Sequence, residues 1–228
     1  MATQFPISRH SMCALLLAAT TGVLANVASA SPTGEYRFTV NLDGKPIGDH
    51  RFVLQSAGDG GLRLSSEARF DVHWLGIPLY RYRHVAHETW SDGCLTSLDA
   101  RTEDNGKLTE VRGHAQGERF AIDVRKGERS THSAAPAQGG NCLMTFAYWN
   151  PALVSQTRLL DPASGRVEPV VIGEPGRVPT NLAKPERSVR GVRIGGLPQP
   201  IDIWYADDRW VGLDTVVSNG RRLSYRLR

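Results

Sequence analysis

From Glu35 onward the chain alternates apolar and polar residues at period two, and no other feature constrains its fold as strongly. In EYRFTVNL, Tyr36, Phe38, Val40 and Leu42 share one face. In RLSSEARFDVHW, Leu64, Ala68, Phe70, Val72 and Trp74 oppose Arg63, Glu67, Arg69, Asp71 and His73. In ERFAIDVR, Phe120, Ile122 and Val124 alternate with Arg119, Asp123 and Arg125. Successive side chains on an extended strand point to opposite sides, so each segment has one face to bury and one to wet. Turn signals separate the segments at Asp43-Gly44, Gly58-Asp59-Gly60-Gly61, Gly76-Ile77-Pro78, Asp92-Gly93, Asn105-Gly106 and Gln116-Gly117. Asn-Gly and Asp-Gly tolerate the positive φ of tight hairpins. An antiparallel meander of about seven strands is therefore expected over 35–125. SVRGVRIGG, PIDIWYA, RWVGLDTVV and RRLSYRLR add four strands, with Asn219-Gly220 between the last two. The expected class is all-β: about eleven antiparallel strands that hide their edges by closing into a barrel or curling around a plug.

The middle of the chain breaks this pattern. KGERSTHSAAPAQGGN, Lys126 to Asn141, is small and polar and reads as a surface loop. CLMTFAYWN, 142–150, reads as a short helix or an irregular plug over one end of the sheet. Residues 161–186 are rich in Pro and Gly, with one strand-like piece, EPVVIG. No internal repeat or domain linker is evident, so 31–228 is expected to form a single β-rich domain.

The first thirty residues have the order of a secretory signal peptide: Arg9 with no acid, the apolar run SMCALLLAATTGVLANV, then Ala28-Ser29-Ala30. Cleavage is expected after Ala30, which would place the mature chain in the periplasm. The run is broken by Thr20, Thr21 and Gly22 and falls short of the ~20 residues needed to span a bilayer. Cys13 lacks the pattern of a lipoprotein signal. Removing Arg9 lowers the formal net charge from +4 to +3. Basic residues are scattered, which gives no argument for nucleic acid. Cys94 and Cys142 remain, and in an oxidising compartment they form either a disulfide or two separate buried thiols.

The densest stretch is LGIPLYRYRHVAHETWSDGC, Leu75 to Cys94. As a strand it sends Tyr80, Tyr82, His84, Ala86, Glu88 and Trp90 one way, and Leu79, Arg81, Arg83, Val85, His87 and Thr89 the other. Joined to the apolar face of the preceding strand, it gives an aromatic wall of Trp74, Tyr80, Tyr82 and Trp90. His84-Val85-Ala86-His87-Glu88 has the residue types of a zinc site, but those motifs need a helix to bring both histidines to one face. On a strand His84 and His87 diverge, and no metal is expected. His84 and Glu88 share a face about 13 Å apart, at ~3.3 Å per residue. Each is expected to meet a neighbouring strand, with Arg69 or Arg101 as the available partner. Trp74, Tyr80, Tyr82, His84, Glu88 and Trp90 are thus the candidate ligand-binding residues, and they either fill the interior or line a pocket. Arg81, Arg83, Arg222, Arg226 and Arg228 form a basic stripe suited to solvent, an acidic partner or an anionic membrane surface. Trp204, opposite Ile201, Ile203 and Tyr205, either faces a partner or lies under 161–186. There is no G-x-S-x-G, G-x-x-x-x-G-K-[ST] or G-x-G-x-x-G, so neither a catalytic set nor a cofactor is assigned.

GKPIGDHRF, the Leu75–Gly106 block, CLMTFAYWNP and IDIWYADDRW with NGRRLSYRL together resemble an uncharacterised family of exported proteobacterial proteins, a domain of unknown function. The resemblance implies a compartment and a fold but no chemistry. The strand order is also similar to that of periplasmic lipid and lipoprotein carriers, where a curved antiparallel sheet wraps around helices. Three functions follow: a non-catalytic binder of a lipid-like or other apolar molecule, an envelope protein–protein interaction or structural module with a filled core, or an enzyme of unidentified reaction.

Overall fold

The computed structural model describes residues 33–58, 60–75, 77–136, 142–182 and 188–228. The expected leader and its cleavage point lie outside the described residues. Eight strands run in succession from the start: β1 (Gly34–Leu42), β2 (Lys45–Gly58), β3 (Gly61–Trp74), β4 (Ile77–Ser91), β5 (Cys94–Asp104), β6 (Lys107–Gln116), β7 (Arg119–Lys126) and β8 (Arg129–Pro136). Each pairs antiparallel with the next. The hairpin turns at Asp43-Gly44, Asp92-Gly93 and Asn105-Gly106 hold both residues at positive φ, as their sequences require.

The C-terminal strands complete the sheet. β13 (Val189–Gly195), β14 (Ile201–Ala206), β15 (Arg209–Val216) and β16 (Arg222–Leu227) form a second meander, edged by the short β12 (Val171–Gly173). Strand β16 pairs with β1, from Phe38 opposite Leu227 to Leu42 opposite Leu223. One antiparallel sheet of thirteen strands results, in the order β12-β13-β14-β15-β16-β1-β2-β3-β4-β5-β6-β7-β8. Among the described residues its edges, β12 and β8, do not pair, so the sheet is curled but not closed there.

Inside the curl lies 142–170. It holds β9 (Met144–Thr145), a single 3-10 turn (Pro151–Ser155), β10 (Arg158–Leu160) and β11 (Val167–Pro169). β9 to β11 form a separate three-stranded sheet. The 142–150 segment is therefore an irregular plug with a two-residue strand, not a helix. Met144, Leu153, Leu159 and Leu160 join one core with Phe38, Phe52, Trp90, Phe120, Ile122, Ile203 and Trp210 from the large sheet. Trp90 meets Trp149 edge-on at 5.3 Å, and the Tyr205 hydroxyl donates to the Tyr148 carbonyl at 2.8 Å. Gly165, at φ 75°, sits where a Cβ would meet Val124 at 2.3 Å, so the plug approaches β7 more closely than any side chain allows.

One sequence expectation is corrected and one pair of alternatives is decided. Lys126–Asn141 is not simply a loop, because Arg129–Pro136 is the edge strand β8. Only Ala135 in it is buried, so it carries the small polar composition of a blunted edge and no alternation to read. Trp204 takes the second of its two expected places: it is 1% exposed and lies under Val178 and Leu182 of the 161–186 segment. It packs on the outer side of the sheet with Ala206, Val211, Val178 and Leu182, and its indole N–H donates to Asp214 at 2.7 Å. The basic stripe is largely neutralised within the sheet: Arg83 pairs with Asp71, Arg226 with Asp214, and Arg228 with Asp49.

Cys94 and Cys142 form a disulfide with Cα atoms 5.4 Å apart, which ties the start of the plug to the β4–β5 hairpin. It spans a sequence separation of 48 residues. Cys94→Ser with Cys142→Ser should lower unfolding stability by about 2–4 kcal/mol in urea titrations. An unchanged midpoint would show that the plug is held by packing alone.

Candidate functional site

Strands β2 to β5 stack inward-facing residues into rungs. His50, Ala68, His84 and Thr102 stand opposite one another across four strands, and the next rung is Phe52, Ser66, Ala86 and Ala100. The third is Leu54, Leu64, Glu88 and Leu98. Small side chains in the middle of these rungs leave room that the large ones would fill. The plug does not descend into that room. A cavity of about 450 Å³ remains between them, floored by His50, Phe52, Ser66, Tyr82, His84, Ala86 and Glu88. Thr145–Trp149 and Asp161–Ala163 roof it, and Leu213, Leu223 and Tyr225 close one side.

The polar groups of this cavity are buried and only partly satisfied by the protein. His84 is 6% exposed and its Nδ1 lies 2.8 Å from Thr102 Oγ1. Burial pushes its pKa down to about 4, against a smaller opposing pull from Asp161, so the ring is neutral near neutral pH. His50 Nε2 lies 2.7 Å from Ser66 Oγ, its ring stacks on Phe52 at 4.0 Å, and burial holds its pKa well below the usual histidine range. Glu88 is 4% exposed between Leu64 and Leu98. The Trp90 indole N–H and the Thr145 hydroxyl donate to its Oε2 at 2.9 and 3.2 Å. Those bonds favour the carboxylate, but desolvation outweighs them and pushes the pKa up to about 7.

The structure therefore brings Tyr82, His84 and Glu88 to one cavity. Trp90 lies behind it, fully buried, as the donor that holds Glu88. Tyr80 is half-exposed near Asp104, away from the lining. Trp74's side chain lies outside the described residues; Tyr82 stacks on Phe70 at 5.2 Å. Arg69 and Arg101 do not meet His84 or Glu88, because both point outward to Glu67 and Glu110. The inner face of β4 finds hydroxyls and an indole in their place. His87 is exposed while His84 is buried, as strand parity requires. Among the described residues no group of three or more His, Cys, Asp and Glu side chains could hold a metal ion. Sequence reasoning missed His50, Tyr148 and Tyr225. His50 alternates with Phe52 and Leu54 on β2, which was a readable signal; Tyr148 arrives from the plug, which was not.

An open, curled antiparallel sheet with an internal plug and cavity is a β-barrel-like architecture. The chain belongs to the family described as a domain of unknown function, DUF6134, which matches residues 38–228. It is similar in structure to a β-barrel-like protein of the domain of unknown function DUF1849 from Brucella abortus, with a TM-score of 0.57 at 13% identity. That match covers 85% of this chain and 95% of the other, and shows a shared fold. No curated protein matches the chain significantly.

The buried acid Glu88 and the buried base His84 oppose each other in pH. Glu88's folded pKa is raised, so its stabilising contribution is full below the unfolded value of 4.5 and is lost as pH rises through about 7. His84's folded pKa is lowered, so its contribution is full above 6.5 and is lost as pH falls through about 4. Below pH 6.5 the two slopes oppose each other and His50 adds to the histidine side, so thermal melts should show stability rising to about pH 6.5 and falling only from there to about 7. Glu88→Gln should steepen the rise from about pH 5 to 6.5 and remove the fall near 7 while leaving the acid-side loss in place; an unchanged profile would mean that Glu88 ionises freely.

Proposed function

We propose that the protein is an exported, non-catalytic binding module of the periplasm that holds a lipid-like or other largely apolar small molecule. The observation that carries this reading is the cavity of about 450 Å³ between the plug and the concave face of the sheet. Its volume falls in the range that encloses small ligands, and its lining is mostly apolar and aromatic with a few placed polar groups. Burying an acyl chain there gains ~0.8 kcal/mol per methylene. The disulfide and the Trp90–Trp149 contact fix the roof, so the cavity is formed before a ligand arrives.

The competing readings draw less support. An envelope interaction module with a filled core would have used Trp204 as an exposed anchor, and that side chain is buried. An enzyme would need a nucleophile or a paired acid and base, and His84 and Glu88 are separated along one strand by about 13 Å.

Extraction of the protein purified from a periplasmic fraction, followed by lipid mass spectrometry, should recover a bound amphiphile. Ala86→Phe places a ring in the cavity floor. It should weaken binding of a fluorescent acyl probe by about tenfold or more, the equivalent of roughly two methylenes excluded. Wild-type protein that carries nothing and ignores acyl probes sinks the proposal.

A further inference from the structure

The open hydrogen-bonding positions of the cavity sort by chemistry. His84 uses Nδ1 on Thr102, and among the described residues nothing bonds its Nε2. The hydroxyls of Tyr82 and Tyr148, on the same lining, have no partner there either. Each position is neutral near neutral pH, and each phenol can donate or accept. The Nε2 of a neutral imidazole accepts if Nδ1 donates to Thr102 and donates if Nδ1 accepts; a hydroxyl serves either tautomer.

The charges point the same way. Among the described residues Arg166 is the one arginine or lysine lining the cavity; it is largely exposed and paired with Glu168 at 2.8 Å. Against it stand Asp161 and the buried Glu88. An anionic head group in this cavity would find acids and no unpaired cation, and would pay the cost of desolvating its charge.

We propose, building on the binding-module reading, that the ligand's polar end is an uncharged hydroxyl-bearing group, as in a monoacylglycerol, held by His84 Nε2 with the Tyr82 and Tyr148 hydroxyls beside it. The acyl chain then runs over Ala86 and Ser66 towards Phe52 and Leu64. This places specificity in the rung occupied by His84, with Glu88 at the far end kept by Trp90 and Thr145.

The test compares monopalmitoylglycerol, palmitate and palmitoyl lysophosphatidylglycerol by calorimetric titration of the mature protein near neutral pH. Monopalmitoylglycerol should bind about tenfold or more tightly than either anion. His84→Phe should reduce that preference by about tenfold while palmitate affinity stays within a few-fold. Nitrogen-15 imidazole spectra of the wild type should show the His84 Nε2 resonance moving on addition of monopalmitoylglycerol, which keeps the test available if the variant does not fold. Tighter binding of either anion, or a still Nε2 resonance with ligand bound, overturns this inference and leaves the binding-module reading in place. Failure of all three to bind overturns both.

Discussion

The pairing of the first strand with the last is the contact on which the rest of the structure depends. Without β1–β16 there would be two separate meanders, each with an exposed apolar face and two raw edges. With it there is one sheet whose thirteen strands share a single inward face. A twisted sheet of this size curls. The join sits where the core is densest: Phe38 of β1 lies 4.1 Å from Trp210 of β15 and 6.1 Å from Phe52 of β2, ring centre to ring centre. The seam between the chain's two ends is thus an aromatic junction that couples both arms to the same interior.

A curled sheet with unpaired edges must be filled, and here the filling comes from the chain's own middle. The plug supplies Met144, Leu153, Leu159 and Leu160 to the core, and each is fully buried. Its polypeptide turns on Asn150, whose side chain accepts from the Ala152 N–H and starts the short 3-10 turn at Pro151. The plug comes closest to the sheet at Val124 of β7, where Gly165 permits the approach, and leaves room over β2 to β4. The cavity is the consequence of that asymmetry: Ser66 and Ala86 on the sheet side are not matched by large residues on the plug side.

Much of the sheet was legible because period-two alternation reports directly which face a residue takes. Strand β4 illustrates it, with burial following the even residues from His84 to Trp90. Parity also separated His84 from His87. What parity does not carry is the identity of partners across distance. Arg69 and Arg101 lie opposite the right strands but on the outer face, so Thr102, Trp90 and Thr145 take the roles the sequence reading gave to arginine. Thr145 is 57 residues from Glu88 in the chain, and no local pattern announces that contact. Trp204, by contrast, lies where one of its two readings put it: its face of β14 is covered by Val178 and Leu182, from the 161–186 segment. Strand β8 was invisible because an edge built from Ser, Thr and Ala has no apolar stripe.

The polar residues of the cavity are costly to the fold. A carboxyl placed among Leu64 and Leu98, and two imidazoles enclosed by aromatic rings, give up hydration that surface positions would keep. Apolar residues of similar size would pack there without that loss. The protein offsets part of it, with two donors on Glu88 Oε2, a serine on His50 and a threonine on His84. In the cases of His84 and Glu88 the bonds engage one atom of the group and leave its second heteroatom without a bond from the described residues. A group held rigidly at one end and open at the other is pre-oriented, and the entropy of fixing it is spent during folding instead of during binding. Titratable groups kept buried and perturbed in a concave site are candidate functional positions. Here they stand on inner strands of an extended ladder, which would hold the geometry of the proposed site fixed.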